Sequence, residues 1–112
     1  MSILDRAKAH FDAQGVKKLE VPEWADESGN PTLLYSSPVT MNDRKKLREI
    51  ADGDEFEFMV RLVILKCQTE DGAKAFDLSD KPTLMQKVDP NIIQRLANQI
   101  AAAPSVDDMV GK

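Results

Sequence analysis

Asp54-Glu55-Phe56-Glu57-Phe58-Met59-Val60-Arg61-Leu62-Val63-Ile64-Leu65-Lys66-Cys67-Gln68 is the stretch that decides the fold. Phe56, Met59, Val60, Val63, Ile64 and Cys67 recur at spacings of three and four, the repeat of one helix face. Phe58, Leu62 and Leu65 add a second apolar stripe. A helix apolar over most of its circumference belongs at the centre of a domain. Asp54 can cap its start, and Glu55 and Glu57 sit in the first turn, where the helix dipole favours carboxylates. Val60, Val63 and Ile64 also suit a strand, but the length and the capped start favour a helix. The spacing predicts a core helix over Glu55–Gln68, with Phe56, Val60, Val63, Ile64 and Cys67 on its buried side.

Outward from this helix the pattern alternates between caps and stops. Upstream, Thr40 with Asp43 three residues on predicts a capped helix to about Asp52, ended by Gly53. Its Arg44, Lys45, Lys46 and Arg48 form the most basic stretch of the chain, which reads as a solvated helix face. Further upstream, Lys18-Leu19-Glu20-Val21 alternates polar and apolar, as a strand does. Pro22 makes that strand an edge or ends it. Asp26-Glu27-Ser28-Gly29-Asn30-Pro31 is a run of turn formers, and Leu33-Leu34-Tyr35 resumes an extended run. The pair predicts a small hairpin between Lys17 and Tyr35. A lone hairpin is barely stable in water, so helices should cover one face. At the start, Ser2 and Asp5 predict a capped helix carrying Ile3, Leu4, Ala7 and Phe11 on one face and stopping at Gly15. Alone it is marginal, so it should dock on the domain or on a partner.

Downstream, Glu70-Asp71-Gly72 is a turn and Phe76 an isolated apolar anchor. Asp80-Lys81-Pro82 opens a short helix. Asp89-Pro90 opens the last one, with Ile92, Ile93, Leu96, Ala97 and Ile100 on one face and Pro104 closing it. The expected fold is a mainly α single domain of four to five helices with a short N-terminal β-hairpin. Residues 1–104 are the expected domain and residues 105–112 a flexible tail.

The chain has 112 residues, 42% apolar and 30% charged, with a formal charge of −4. That size supports one core without staples. A mildly acidic chain lacks a general hold on a phosphate backbone, which argues against nucleic acid as the main ligand. One cysteine excludes an internal disulfide and a cysteine-based zinc site. The apolar stretch from Phe58 to Leu65 is interrupted by Arg61 and falls short of a membrane span. The N-terminal residues mix charges among apolar groups, unlike a secretory signal.

Chemistry-bearing motifs are sparse. The lone His10 and Cys67 fall on different predicted helices, and a buried thiol suits an apolar helix face. Asp52-Gly53-Asp54-Glu55 lacks the ligand spacing of a calcium loop. The five glycines are scattered, so there is no phosphate-cradling loop, and neither a Gly-x-Ser-x-Gly nor a His-Glu-x-x-His pattern occurs. No catalytic, cofactor-binding or metal-ligating residue is therefore expected. The single Trp24, where an edge strand meets a turn, is either a lid on the core or a partner-binding anchor.

The order of these features resembles the tail assembly chaperones of long-tailed (siphophage-type) bacteriophages. The resemblance lies in Lys18-Leu19-Glu20-Val21-Pro22-Glu23-Trp24, a short hairpin, and Thr40 opening a helix with Asp43-Arg44. It continues through Leu62-Val63-Ile64-Leu65, Glu70-Asp71-Gly72, Phe76-Asp77-Leu78-Ser79-Asp80 and Pro104-Ser105-Val106-Asp107-Asp108. It departs at Ala25, where the family often has glycine, in the longer turn over residues 26–31, and at Val39. The resemblance implies a non-enzymatic protein of the host cell cytoplasm, missing from the mature virion. It would hold the aggregation-prone tape measure protein until tail tube subunits polymerise around it. It also implies a −1 ribosomal frameshift near Gly111-Lys112, giving a longer form that recruits the tail tube protein. Trp24, Leu33, Leu34 and Tyr35 are the candidate partner contacts, and a homo-oligomer is left open. A head–tail connector and a regulatory helical domain are the competing readings.

Overall fold

Each long helix begins at a side chain that satisfies its free backbone N–H groups. The computed structural model describes residues 2–102; the expected stop at Pro104, the tail and Gly111-Lys112 lie outside them. Helix α1 spans Ile3–Gln14 and starts with a capping box between Ser2 and Asp5. Helix α2 spans Met41–Ala51 and repeats the device with Thr40 and Asp43. Helix α3 spans Glu55–Lys66, and Asp54 accepts from the N–H groups of Phe56 and Glu57 at 2.9 and 3.1 Å. Helix α4 spans Lys81–Gln86. Helix α5 spans Pro90–Ala101, with Pro90 in its first turn and Asp89 accepting from the N–H of Asn91.

Strands β1 (Lys17–Val21) and β2 (Thr32–Ser36) pair antiparallel, Leu19 opposite Leu34. Asp26 closes the connection, its carboxylate accepting from the N–H groups of Ser28 and Asn30, as an Asx turn does. The sheet has a third strand, β3 (Cys67–Gln68), antiparallel to β2 with Ser36 opposite Cys67. This corrects two expectations. The hairpin is the first part of a three-stranded sheet, and the core helix stops at Lys66 rather than Gln68. The Thr69–Ala73 turn then folds the chain back, so that Gln68 bridges Lys74.

Helix α3 is central, packed against α2, α4 and α5, and α5 also packs on β1. Val63, Leu62 and Cys67 are almost wholly buried, as are Leu96 and Ile100 of α5 and Val21 of β1. The alternation in β1 and β2 turns Leu19, Val21, Leu34 and Ser36 inward. Of the residues expected on the buried side of α3, Val60, Val63, Ile64 and Cys67 are buried, while Phe56 is 67% exposed. Of the second stripe, Phe58 and Leu62 are buried, while Leu65 is 40% exposed. Phe56 lies in the first turn of α3, where short α4 leaves the helix partly uncovered.

Long-range ties lock these elements. Lys66 pairs with Asp43 at 2.8 Å and donates to the Pro38 carbonyl, joining the end of α3 to the start of α2. Burial opposes the Asp43 charge, yet hydrogen bonds from Lys66 and the Thr40 N–H outweigh it and hold its carboxyl below the usual range. At the end of α5, the Lys17 ammonium donates to the carbonyls of Gln99, at 3.0 Å, and Ala102. Arg44 donates to that of Ala101 at 2.9 Å. Two cations thus meet the negative end of the α5 dipole. No helix among the described residues is long and apolar enough to cross a membrane.

Candidate functional site

Where α3, α4 and α5 diverge, an open groove of about 370 Å³ remains. Phe56, Met59 and Val60 of α3 form one side. Leu84 and Met85 of α4, with Val88, Pro90 and Ile93, form the other. Phe56 is 67% and Met85 45% exposed, so both present apolar surface to solvent. The polar side chains in this lining are the amides of Gln86 and Gln94. The groove therefore offers apolar contact with two hydrogen-bonding groups at its edge. Met59 and Met85 can repack around an irregular guest, because a thioether chain is unbranched and polarisable.

The caps place this lining. Asp54 starts α3 one turn before Met59, and Asp89-Pro90 starts α5 one turn before Ile93 and Gln94. Both helices thus open beside the groove. Glu57 ties the two walls together: it pairs with Lys81 of α4 and with Arg61 one turn along α3. The Lys81 hydrogen bond, followed by that of Arg61, keeps the Glu57 carboxyl below its usual range. An ionised Glu57 holds the start of α4 against α3.

The four residues expected to touch a partner do not share one surface. Leu34 is buried under the sheet, while Leu33, at 37% exposure, and half-buried Tyr35 lie on its other face. Trp24, half-buried in a 3-10 turn over Pro22–Trp24, packs on the core edge-on to Phe76, ring centres 6.3 Å apart. The Thr32 hydroxyl donates to its carbonyl. Beside it, Glu23 and Arg95 form a two-pronged pair at 2.7 and 2.8 Å. The Arg95 guanidinium holds the Glu23 carboxyl down at about 2.

The remaining candidates have structural settings. Arg44 caps α5, and Arg48 lies 4.7 Å over the Phe58 ring. His10 is exposed on α1. Cys67 is fully buried, and burial pushes its thiol up to about 12, far from a reactive thiolate. Asp52 takes the left-handed conformation at the end of α2, and Asp54 caps α3. Among the described residues no group of His, Cys, Asp or Glu is placed to hold a metal ion.

Compared with protein-family models, with curated proteins and with solved structures, the chain matches none.

Sequence reasoning missed the groove because each lining residue reads as core on its own helix. Phe56, Met59 and Val60 carry the same spacing as buried Val63 and Ile64. The usable signal was the length of the Lys81–Gln86 segment, too short to cover all of α3.

Proposed function

We propose that this chain is a non-enzymatic tail assembly chaperone of a long-tailed bacteriophage. It acts in the cytoplasm of the infected cell and is left out of the mature virion. Its substrate is the tape measure protein, a long helical chain whose exposed apolar stripes make it prone to aggregate. The observation that carries this reading is the groove between α3, α4 and α5, apolar along its walls and open to solvent at Phe56 and Met85. A helix laid into such a groove buries its stripe through anchors three, four and seven residues apart. The order of motifs from Leu19 to Asp108 supports the family, and a frameshifted longer form would recruit the tail tube protein.

Co-expression with the tape measure protein of the same phage tests it. A soluble complex on size exclusion is the expected result. Met85→Asp places a carboxylate in the open groove and should return the tape measure protein to the pellet while leaving the chaperone folded. Trp24→Ala should weaken the complex more than it lowers thermal stability if Trp24 adds contact area; equal losses make it a lid. A tape measure protein that stays insoluble beside abundant wild-type chain defeats the proposal. Finding the chain in purified virions favours the connector reading.

A further inference from the structure

The three-stranded sheet has two edges, and the chain treats them differently. Beyond β3 it folds back on itself: the Ala75 N–H donates to the Cys67 carbonyl at 3.0 Å, and Gln68 bridges Lys74. Strand β1 is the other outer strand and pairs with β2 alone. Leu19 and Val21 are 3% and 0% exposed, backbone included, so their N–H and C=O groups turn toward β2. Successive residues of an antiparallel strand alternate between facing one neighbour and the other. The N–H and C=O groups of Lys18 and Glu20 therefore turn outward, and among the described residues no backbone group beyond the sheet bonds to them. Such an edge is a template for one more strand. Lysine alone guards an edge by repelling a second copy of itself. Here Glu20 stands on the same face as Lys18, both exposed, and neither enters an ion pair among the described residues.

We propose that β1 pairs antiparallel with β1 of a second copy of this chain, about a twofold axis beside Leu19, joining the two sheets into one. In that register Lys18 of each copy lies opposite the partner's Glu20. These are the two residues whose backbone groups face outward, so each pair exchanges both of its N–H···O bonds. They also carry opposite charges on one face, which stabilises directly opposed side chains. Other registers fail. A shift of one residue sets the outward groups of one strand against the inward-turned Leu19 of the other and loses the bonds. A shift of two sets Lys18 against Lys18 or Glu20 against Glu20, like charges directly opposed. The strand is thus its own complement, which is what selects a second copy over a foreign strand. Pro22 follows Val21 directly and has no N–H to give, so it ends the ladder there. On the same face, Tyr35 stands opposite Lys18 and Leu33 opposite Glu20 within each sheet, so apolar groups flank the ion pairs. The contact closes after two copies, because each uses its β1 edge and the chain itself covers the edge beyond β3. This inference does not rest on the chaperone reading: no residue lining the α3–α4–α5 groove lies on β1.

The test is the mass of the intact chain by light scattering and sedimentation over a range of concentrations. The chain alone is 12.5 kDa, and a dimer is expected. Lys18→Glu and Glu20→Lys each oppose like charges at both pairs, and each alone should weaken the dimer ~tenfold or more. Both positions are exposed, and unchanged circular dichroism will show that the fold is kept. The chain carrying both substitutions restores opposite charges and should dimerise as wild type does. An equal mixture of the two single variants should form a heterodimer for the same reason. Amide exchange at Lys18 and Glu20 should slow as the concentration rises. A wild-type chain that is monomeric throughout overturns the proposal, as does a dimer that neither reversal weakens or that the double substitution fails to restore. Protection of the Lys18 and Glu20 amides in a monomer also overturns it, since another part of the same chain, such as residues 103–112, then covers the edge.

Discussion

Helices α1 and α5 are each twelve residues long and each starts at a capping side chain, yet they differ in everything that follows. Helix α5 buries Ile92, Ile93, Leu96, Ala97 and Ile100, and its last carbonyls receive Lys17 and Arg44. Helix α1 buries no residue, and neither helix has a basic residue of its own in its last turn. Capping chemistry thus fixes where a helix begins, while packing decides whether it contributes to the stability of the domain. In α5 the two act together; in α1 only the first operates within one chain.

The largest contrast should come from truncating one leucine in each. Leu96 is fully buried, and Leu96→Ala should cost about 2–5 kcal/mol through lost transfer energy and the cavity left behind. Leu4→Ala should stay within about 0.5 kcal/mol, because Leu4 is exposed. Urea unfolding midpoints measure both. Comparable losses would mean that α1 packs on its own domain after all.

A second contrast lies at the helix ends. Lys17 joins the strand after α1 to the carbonyl end of α5. Lys17→Met keeps most of the aliphatic stem but removes the charge and its hydrogen bonds, which should destabilise the domain by about 1 kcal/mol. Burial lowers the Lys17 pKa, so desolvation offsets part of what the carbonyls contribute. An unchanged midpoint would show that Arg44 alone is a sufficient cap.

These contrasts were only half legible in the sequence. Ser2, Thr40, Asp54 and Asp89 announce helix starts because capping is local, reaching no more than three residues along the chain. The five buried positions of α5 follow from their spacing, since one continuous face meets the core. Strand β3 is another matter. Cys67 and Gln68 continue the apolar helical spacing of α3, and what makes them a strand is Tyr35 and Ser36, more than thirty residues away. Phe56 fails for a related reason. Periodicity assigns a residue to a face but not to the stretch of that face which a neighbouring helix covers. The groove exists in just that gap, so no local pattern announces it.

A third contrast concerns acid. The Glu23–Arg95 pair fastens the turn after β1 to α5, and α1 has no tie of this kind among the described residues. Arg95 depresses the Glu23 pKa from 4.5 to about 2. A carboxyl more acidic in the folded state stabilises the fold above its ordinary pKa. That contribution is lost as pH falls from 4.5 toward 2. Over this window wild type should lose more stability than Glu23→Gln, which cannot titrate. The pair is exposed, so the difference will be small and should shrink further in salt. Parallel acid titrations of unfolding midpoints, in low and high salt, measure it. Equal slopes would show that α5 holds its place by burial alone.

The smallest global effect is expected where the local effect is clear. The Ser2 hydroxyl accepts from the Asp5 N–H at 3.1 Å, and Thr40 does the same for Asp43 at 3.0 Å. Replacing either cap by alanine removes about 1 kcal/mol from its helix. Helix α2 is bound to the core through Leu47 and Ala51, so Thr40→Ala should lower the stability of the whole domain by that amount. Helix α1 opens without disturbing the core, and a segment that opens locally contributes almost nothing to the global unfolding energy. Ser2→Ala should therefore leave the urea midpoint of the monomer unchanged while speeding amide exchange along Ile3–Gln14. If Ser2→Ala lowers the monomer midpoint as much as Thr40→Ala does, α1 is coupled to the core, and its difference from α5 is one of degree.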